Sequence, residues 1–131
     1  MNNWDLVDAS AATLLGASVA AGDLRRLDRL AGSSSLWERR IAMIATLHHT
    51  KAGNVVPALH VAERLLGDRH DLIHKAVGWM LREVGKRDRA ALEGFLDAHY
   101  DRLPRTTLRY AIERFSEAER RAYLARGAWP R

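Results

Sequence analysis

Three segments of this chain open alike, and their spacing limits what the chain can fold into. Trp37-Glu38-Arg39-Arg40-Ile41-Ala42, Ile73-His74-Lys75-Ala76-Val77 and Leu103-Pro104-Arg105-Thr106 each set a basic residue inside an apolar opening. The cations Arg40, Lys75 and Arg105 follow one another at intervals of 35 and then 30 residues. Such intervals belong to helical-repeat arrays, in which each helix pair buries its apolar stripe only by stacking on its neighbours. Coincidental likeness among short apolar helices is the alternative. The apolar periodicity is helical throughout, and three prolines with nine scattered glycines leave no room for a run of hairpins. The expected fold is therefore all-α, an α-α superhelix of HEAT-like helix pairs, with residues 1–131 forming one domain.

Periodicity and its punctuation predict helices near residues 3–20, 23–31, 35–48, 54–66, 71–86, 89–99, 105–114 and 117–126. Ser35, Asp71, Asp88 and Ser116 are the expected N-caps, and Ser116 with Glu119 makes a capping box. Gly22, Gly53 and Gly67 fall where helices should stop.

Composition narrows the function classes. A chain of 131 residues can bury a core without staples, and it has no cysteine for a disulfide, a thiolate metal site or redox chemistry. No apolar run approaches the roughly 18 residues of a membrane span, and no basic-then-apolar leader opens the chain, so the expected location is the cytoplasm, with no membrane partner. The net charge of +5 suits a polyanionic partner. Residues 100–131 carry eight arginines against four acids, which weights the positive field toward the C-terminal part.

Placing side chains at about 100° steps separates solvated charges from misplaced ones. On the first predicted helix Asp8 shares the apolar arc of Trp4, Val7, Ala11, Leu14 and Leu15. On the third, Arg40 lies between Ile44 and Leu47 while Arg39 faces out. Such a guanidinium needs a carboxylate, carbonyl oxygens or a phosphate, and pairing with Asp8 as a structural bridge is one option. On the fifth, Lys75, Trp79, Arg82 and Lys86 line one flank, a basic stripe with an aromatic in its middle. Such a stripe fits a nucleic acid, yet it also fits a solvated face whose tryptophan packs the core. His70 and His74 stand one turn apart without a third ligand at a recognisable spacing, so no metal is expected. No phosphate-cradling glycine loop or nucleophile elbow is present, and no cofactor is expected.

Four segments, Asn2-Asn3-Trp4-Asp5-Leu6-Val7-Asp8, Leu36-Trp37-Glu38-Arg39-Arg40-Ile41-Ala42, His70 through Glu83, and Pro104-Arg105-Thr106-Thr107-Leu108-Arg109-Tyr110-Ala111, occur in that order. Together they resemble the DNA alkylation repair family of HEAT-like DNA glycosylases across nearly the whole chain. The resemblance implies a helical array that cradles duplex DNA containing alkylated purines and releases the damaged base. It also implies that the functional Trp and Asp four apart, the Arg three after a Trp, and the Trp after Lys-Ala-x-Gly fall on Trp4, Asp8, Arg40 and Trp79.

The implied chemistry suits these residue types. Alkylation of a purine ring nitrogen makes the base cationic and a good leaving group without protonation, so no general acid is required. A carboxylate near the anomeric carbon can stabilise an oxocarbenium-like sugar and position water, and indole faces favour a cationic sugar or base. The expected catalytic set is Asp8, Trp4 and Trp79, with Arg40, Lys75 and Arg82 on DNA. Family members carry further repeats before the Asn-Trp-Asp segment, so the N-terminal part of the array is expected to be missing here. A DNA-binding repeat module without catalysis is the alternative expectation, and a protein-interaction scaffold is a third that the basic residues disfavour.

Overall fold

The computed structural model describes residues 24–126. Seven α-helices and one 3-10 turn fill this span, and no strand occurs among the described residues: α1 (Leu24–Ala31), α2 (Leu36–Lys51), α3 (Val56–Leu65), α4 (Asp71–Arg87), α5 (Arg89–His99), the 3-10 turn Tyr100–Arg102, α6 (Arg105–Ala111) and α7 (Glu117–Ala125). The predicted helix over 3–20 and the stop at Gly22 lie outside the described residues.

Local chemistry sets most of the ends. The Ser35 hydroxyl accepts from the Glu38 amide, and Asp88 accepts from Ala91 at 3.0 Å. Asp88 also donates its own amide to Val84 O at 2.8 Å, so one residue closes α4 and opens α5. At Ser116 both halves of the capping box form, each at 3.2 Å. After α2 the backbone turns through Gly53 at φ 94°, with Gly53 N donating to Thr50 O and Asn54 N to His49 O. That pair of bonds is a Schellman motif, and it requires the left-handed conformation a glycine adopts without strain.

Three expectations shift. The cap of α4 is His70, whose Nδ1 accepts from the Leu72 amide at 3.2 Å, and Asp71 instead occupies the first turn, where its charge favours the positive helix end. α2 continues to Lys51 rather than 48, and α6 closes at Ala111 rather than 114. Gly67 does mark the stop after α3, as a turn residue without a positive φ.

α1 pairs with α2 and α3 with α4 as a repeat array requires, whereas α5 lies chiefly on α4 rather than on α6. α2, α4 and α6, the three helices with similar openings, pack side by side, α4 between the other two. α1 and α3 lie against α2, α3 and α5 also flank α4, and α7 lies on α6. α4 is the hub, and Ile73, Ala76, Val77, Met80, Leu81 and Val84 along it are buried. α1 and α3 reach this core through Leu27 and Val61, α2 through Met43, α5 through Leu92 and Leu96, and α6 through Leu108. Burying each such side chain contributes about 1.5–3 kcal/mol.

α4 and α6 approach each other closely at Gly78. A Cβ on Gly78 would stand 2.8 Å from Thr107 O and 2.5 Å from Tyr110 Cβ, so only glycine permits the approach. Beside it the fully buried Thr107 donates its hydroxyl to His74 O at 2.8 Å, which satisfies the hydroxyl and fixes the register.

Candidate nucleic-acid interface

Of the residues expected to meet DNA, Arg40 lies on α2 and Lys75, Trp79 and Arg82 lie on α4. Asp8 and Trp4 fall outside the described residues. Trp79 is half-buried: part of its indole packs against the core, and the rest reaches the surface of α4. The core therefore holds part of the ring, and the rest stands on the flank of α4.

Lys75, Arg82 and Lys86 lie on the same flank, and each has a carboxylate partner. Lys75 pairs with Asp71 one turn before it at 3.2 Å, and Lys86 with Glu83 at 2.9 Å. Arg82 reaches across to Glu113 beyond the end of α6. The stripe is a row of ion pairs rather than bare cations. Lys75–Asp71, exposed on both sides, is worth about 0–1 kcal/mol, whereas Arg82 and Glu83 are largely covered within their pairs.

Arg40 is partly buried at the start of α2, and its Nη1 donates to Leu72 O at 3.2 Å, in the first turn of α4. A carbonyl thus meets one of the needs that an inward guanidinium creates. Arg39 departs from its expected outward position. Its side chain is 20% exposed, its Nε bonds Asp68 at 2.7 Å, and its Nη1 donates to Ser33 O and Ser34 O. The reason is tertiary: the helical projection treats α2 alone, whereas the turns before α2 and before α4 close over this side of it. Arg105, third of the recurrent cations, donates to Leu124 O in the last turn of α7, a favourable place for a cation at a helix C-terminus.

The two histidines that suggested a metal pair are held by backbone. His70 caps α4, and His74 Nε2 lies 2.5 Å from Asp68 O. Among the described residues no three His, Asp or Glu side chains converge as a metal site. None of the described helices is long and apolar enough to cross a membrane.

Several surface groups escape a helix-by-helix reading. Tyr110 of α6 is 36% exposed and backs onto Gly78, one residue before Trp79. Arg89 stacks 4.1 Å from the Phe115 ring centroid while pairing with Glu93 and Glu119. The signal for Tyr110 was its outward position on α6. Nothing in the sequence signals that Arg89 meets Phe115.

Comparison with known proteins adds the lineage. The sequence profile of a family described as DNA alkylation repair enzyme matches residues 1–115. No curated protein and no solved structure shows significant similarity to the chain. The profile takes in α2, α4 and α6 and all six residues expected at the site, and the chain belongs to the DNA alkylation repair enzyme family.

Proposed function

We propose that this chain is a DNA glycosylase that hydrolyses the N-glycosidic bond of cationic alkylated purines in duplex DNA. The observation that carries the reading is the placement of Trp79 in a chain of this family. Its indole is anchored in the core yet reaches the surface of α4, among Lys75, Arg82 and Lys86. A half-fixed aromatic face among cations suits a nucleotide, because the ring can lie against sugar or base while the cations meet phosphates.

In this reading the leaving group is already activated by its charge, and the carboxylate of Asp8 stabilises the oxocarbenium-like sugar and orients water. Trp4 and Trp79 flank the damaged nucleotide, and Arg40 holds a nearby phosphate. The roles of Asp8 and Trp4 rest on the family resemblance.

The test is release of a methylated purine from duplex DNA, measured with the wild type and with Asp8→Asn. The expected result is release by the wild type and a loss of at least two orders of magnitude in the variant, the scale for removal of one electrostatic stabiliser. Equal rates would remove Asp8 from the mechanism. Salt-sensitive duplex binding with no release by the wild type would favour the non-catalytic binding module.

A further inference from the structure

Beyond Trp79, a shallow depression of about 150 Å³ opens among the end of α4, the start of α5 and the turn after α6. Gly85 and Leu92 belong to its lining. A Cβ on Gly85 would come within 2.5 Å of Leu92 Cδ2, so the glycine keeps this wall low. Four cations surround the depression: Arg82, Lys86, Arg89 and Arg114. Arg82 and Lys86 come from the α4 stripe, whereas Arg89 opens α5 and Arg114 follows α6, so the full set exists only where three segments meet.

Their states differ in a way that suits an incoming anion. Arg89 is fixed by Phe115, Glu93 and Glu119, which hold its guanidinium at the edge without rotamer freedom left to lose. Arg114 is exposed and has no ion-pair partner among the described residues. Arg82 is mostly covered, and the Glu113 carboxylate that holds it is 63% exposed and free to swing away. A carboxylate on an arginine at the rim of a basic depression occupies the place a phosphate oxygen would take.

Position along α4 ties the depression to the lesion site. Gly85 lies six residues beyond Trp79, about 9 Å along the helix axis at ~1.5 Å per residue. That is between two and three base-pair steps at ~3.4 Å each. We propose that this depression is a phosphate subsite for the duplex backbone two or three steps from the lesion, with Glu113 occupying Arg82 until DNA displaces it. The inference rests on the reading of the chain as a duplex-DNA enzyme, and it assigns Arg89, Glu113 and Arg114 roles outside the lesion site.

The experiment is equilibrium binding to an unmodified duplex between 50 and 200 mM salt, with wild type, Arg114→Gln, Glu113→Gln and Arg29→Gln. Arg29 is exposed on α1, away from the depression, and controls for the loss of one charge. Arg114→Gln is expected to flatten the slope of log affinity against log salt by about 0.9, the value of one phosphate contact. Glu113→Gln is expected to tighten binding about two- to fivefold, the scale of an exposed ion pair released. Arg29→Gln should do neither.

The subsite is overturned if Arg114→Gln matches Arg29→Gln, or if Glu113→Gln leaves affinity unchanged or weakens it, while the wild type binds the duplex. Absence of salt-dependent duplex binding by the wild type overturns the DNA reading and the subsite together. The wild-type arm thus distinguishes the two failures.

Discussion

His49 and Asp68 show how single polar residues inside this array acquire consequences. His49 is 4% exposed near the end of α2, and burial, with the adjacent His48 adding, holds its imidazole below the usual histidine range. The unfolded chain takes up a proton near the ordinary value of 6.5, whereas the folded chain resists it. More protons bind to the unfolded state in that window, so stability rises with pH. The contribution is fully present above about 6.5 and is lost as pH falls through the lowered folded value. Thermal melts at pH 8 and pH 5 should therefore show a drop on acidification, and His49→Gln should shrink it; an undiminished drop would place the effect elsewhere. Asp68 is a carboxylate 8% exposed that accepts from Arg39 Nε and from the His70 amide. Asp68→Asn keeps one acceptor oxygen for two donors and removes the charge opposite Arg39, and should cost about 2 kcal/mol, read as a lower denaturant midpoint.

At the scale of elements, two glycines in neighbouring helices carry opposite expectations. Gly78 faces the backbone of Thr107, so Gly78→Ala must push α6 away or strain α4, at about 1–3 kcal/mol. Gly94 lies mid-helix in α5 with nothing within 4 Å of an added Cβ. Gly94→Ala should stabilise by about 0.4–1 kcal/mol through helix propensity and lost unfolded-state freedom. Chemical denaturation of the two variants checks both signs, and equal shifts would mean that the α4–α6 approach is not the constraint. Features carried by one helix were legible in the sequence: the seven described helices, the caps at Ser35, Asp88 and Ser116, and the α4 stripe with Trp79. Features made between elements were not. Arg39 turned inward because two turns closed over it, and Arg82 found Glu113 from 31 residues away, a pairing that no period encodes. Trp4 and Asp8, recognised by motif, lie outside the described residues.

Across the whole molecule, α4 touches α2, α3, α5 and α6, whereas α7 packs chiefly on α6. α7 is otherwise tied to α5 and the 3-10 turn by surface polar links: Arg126 to Asp97 at 2.6 Å, Arg89 to Glu119, and the Tyr100 hydroxyl to Tyr123 O. In a stacked array, stability is approximately a sum over units and their nearest-neighbour interfaces. Loss at the hub must then weaken several interfaces, and loss at the end only one or two. Met80, 1% exposed on α4, and Tyr123, 8% exposed on α7, are the matching probes. Met80→Ala should cost about 2–5 kcal/mol and lower amide protection in every described helix. Tyr123→Ala removes a ring that packs on Phe115 at 5.7 Å between centroids and carries Arg126 above it at 4.3 Å. Its loss should raise hydrogen exchange in α7 and the segment around Phe115 while α2 and α4 keep their protection. Because Phe115 in turn carries Arg89, the same variant should weaken duplex binding in proportion to the role of the depression and leave the Trp79 end of α4 unchanged. Uniform loss of protection in both variants would mean that the helices unfold as one cooperative block, with no separable end.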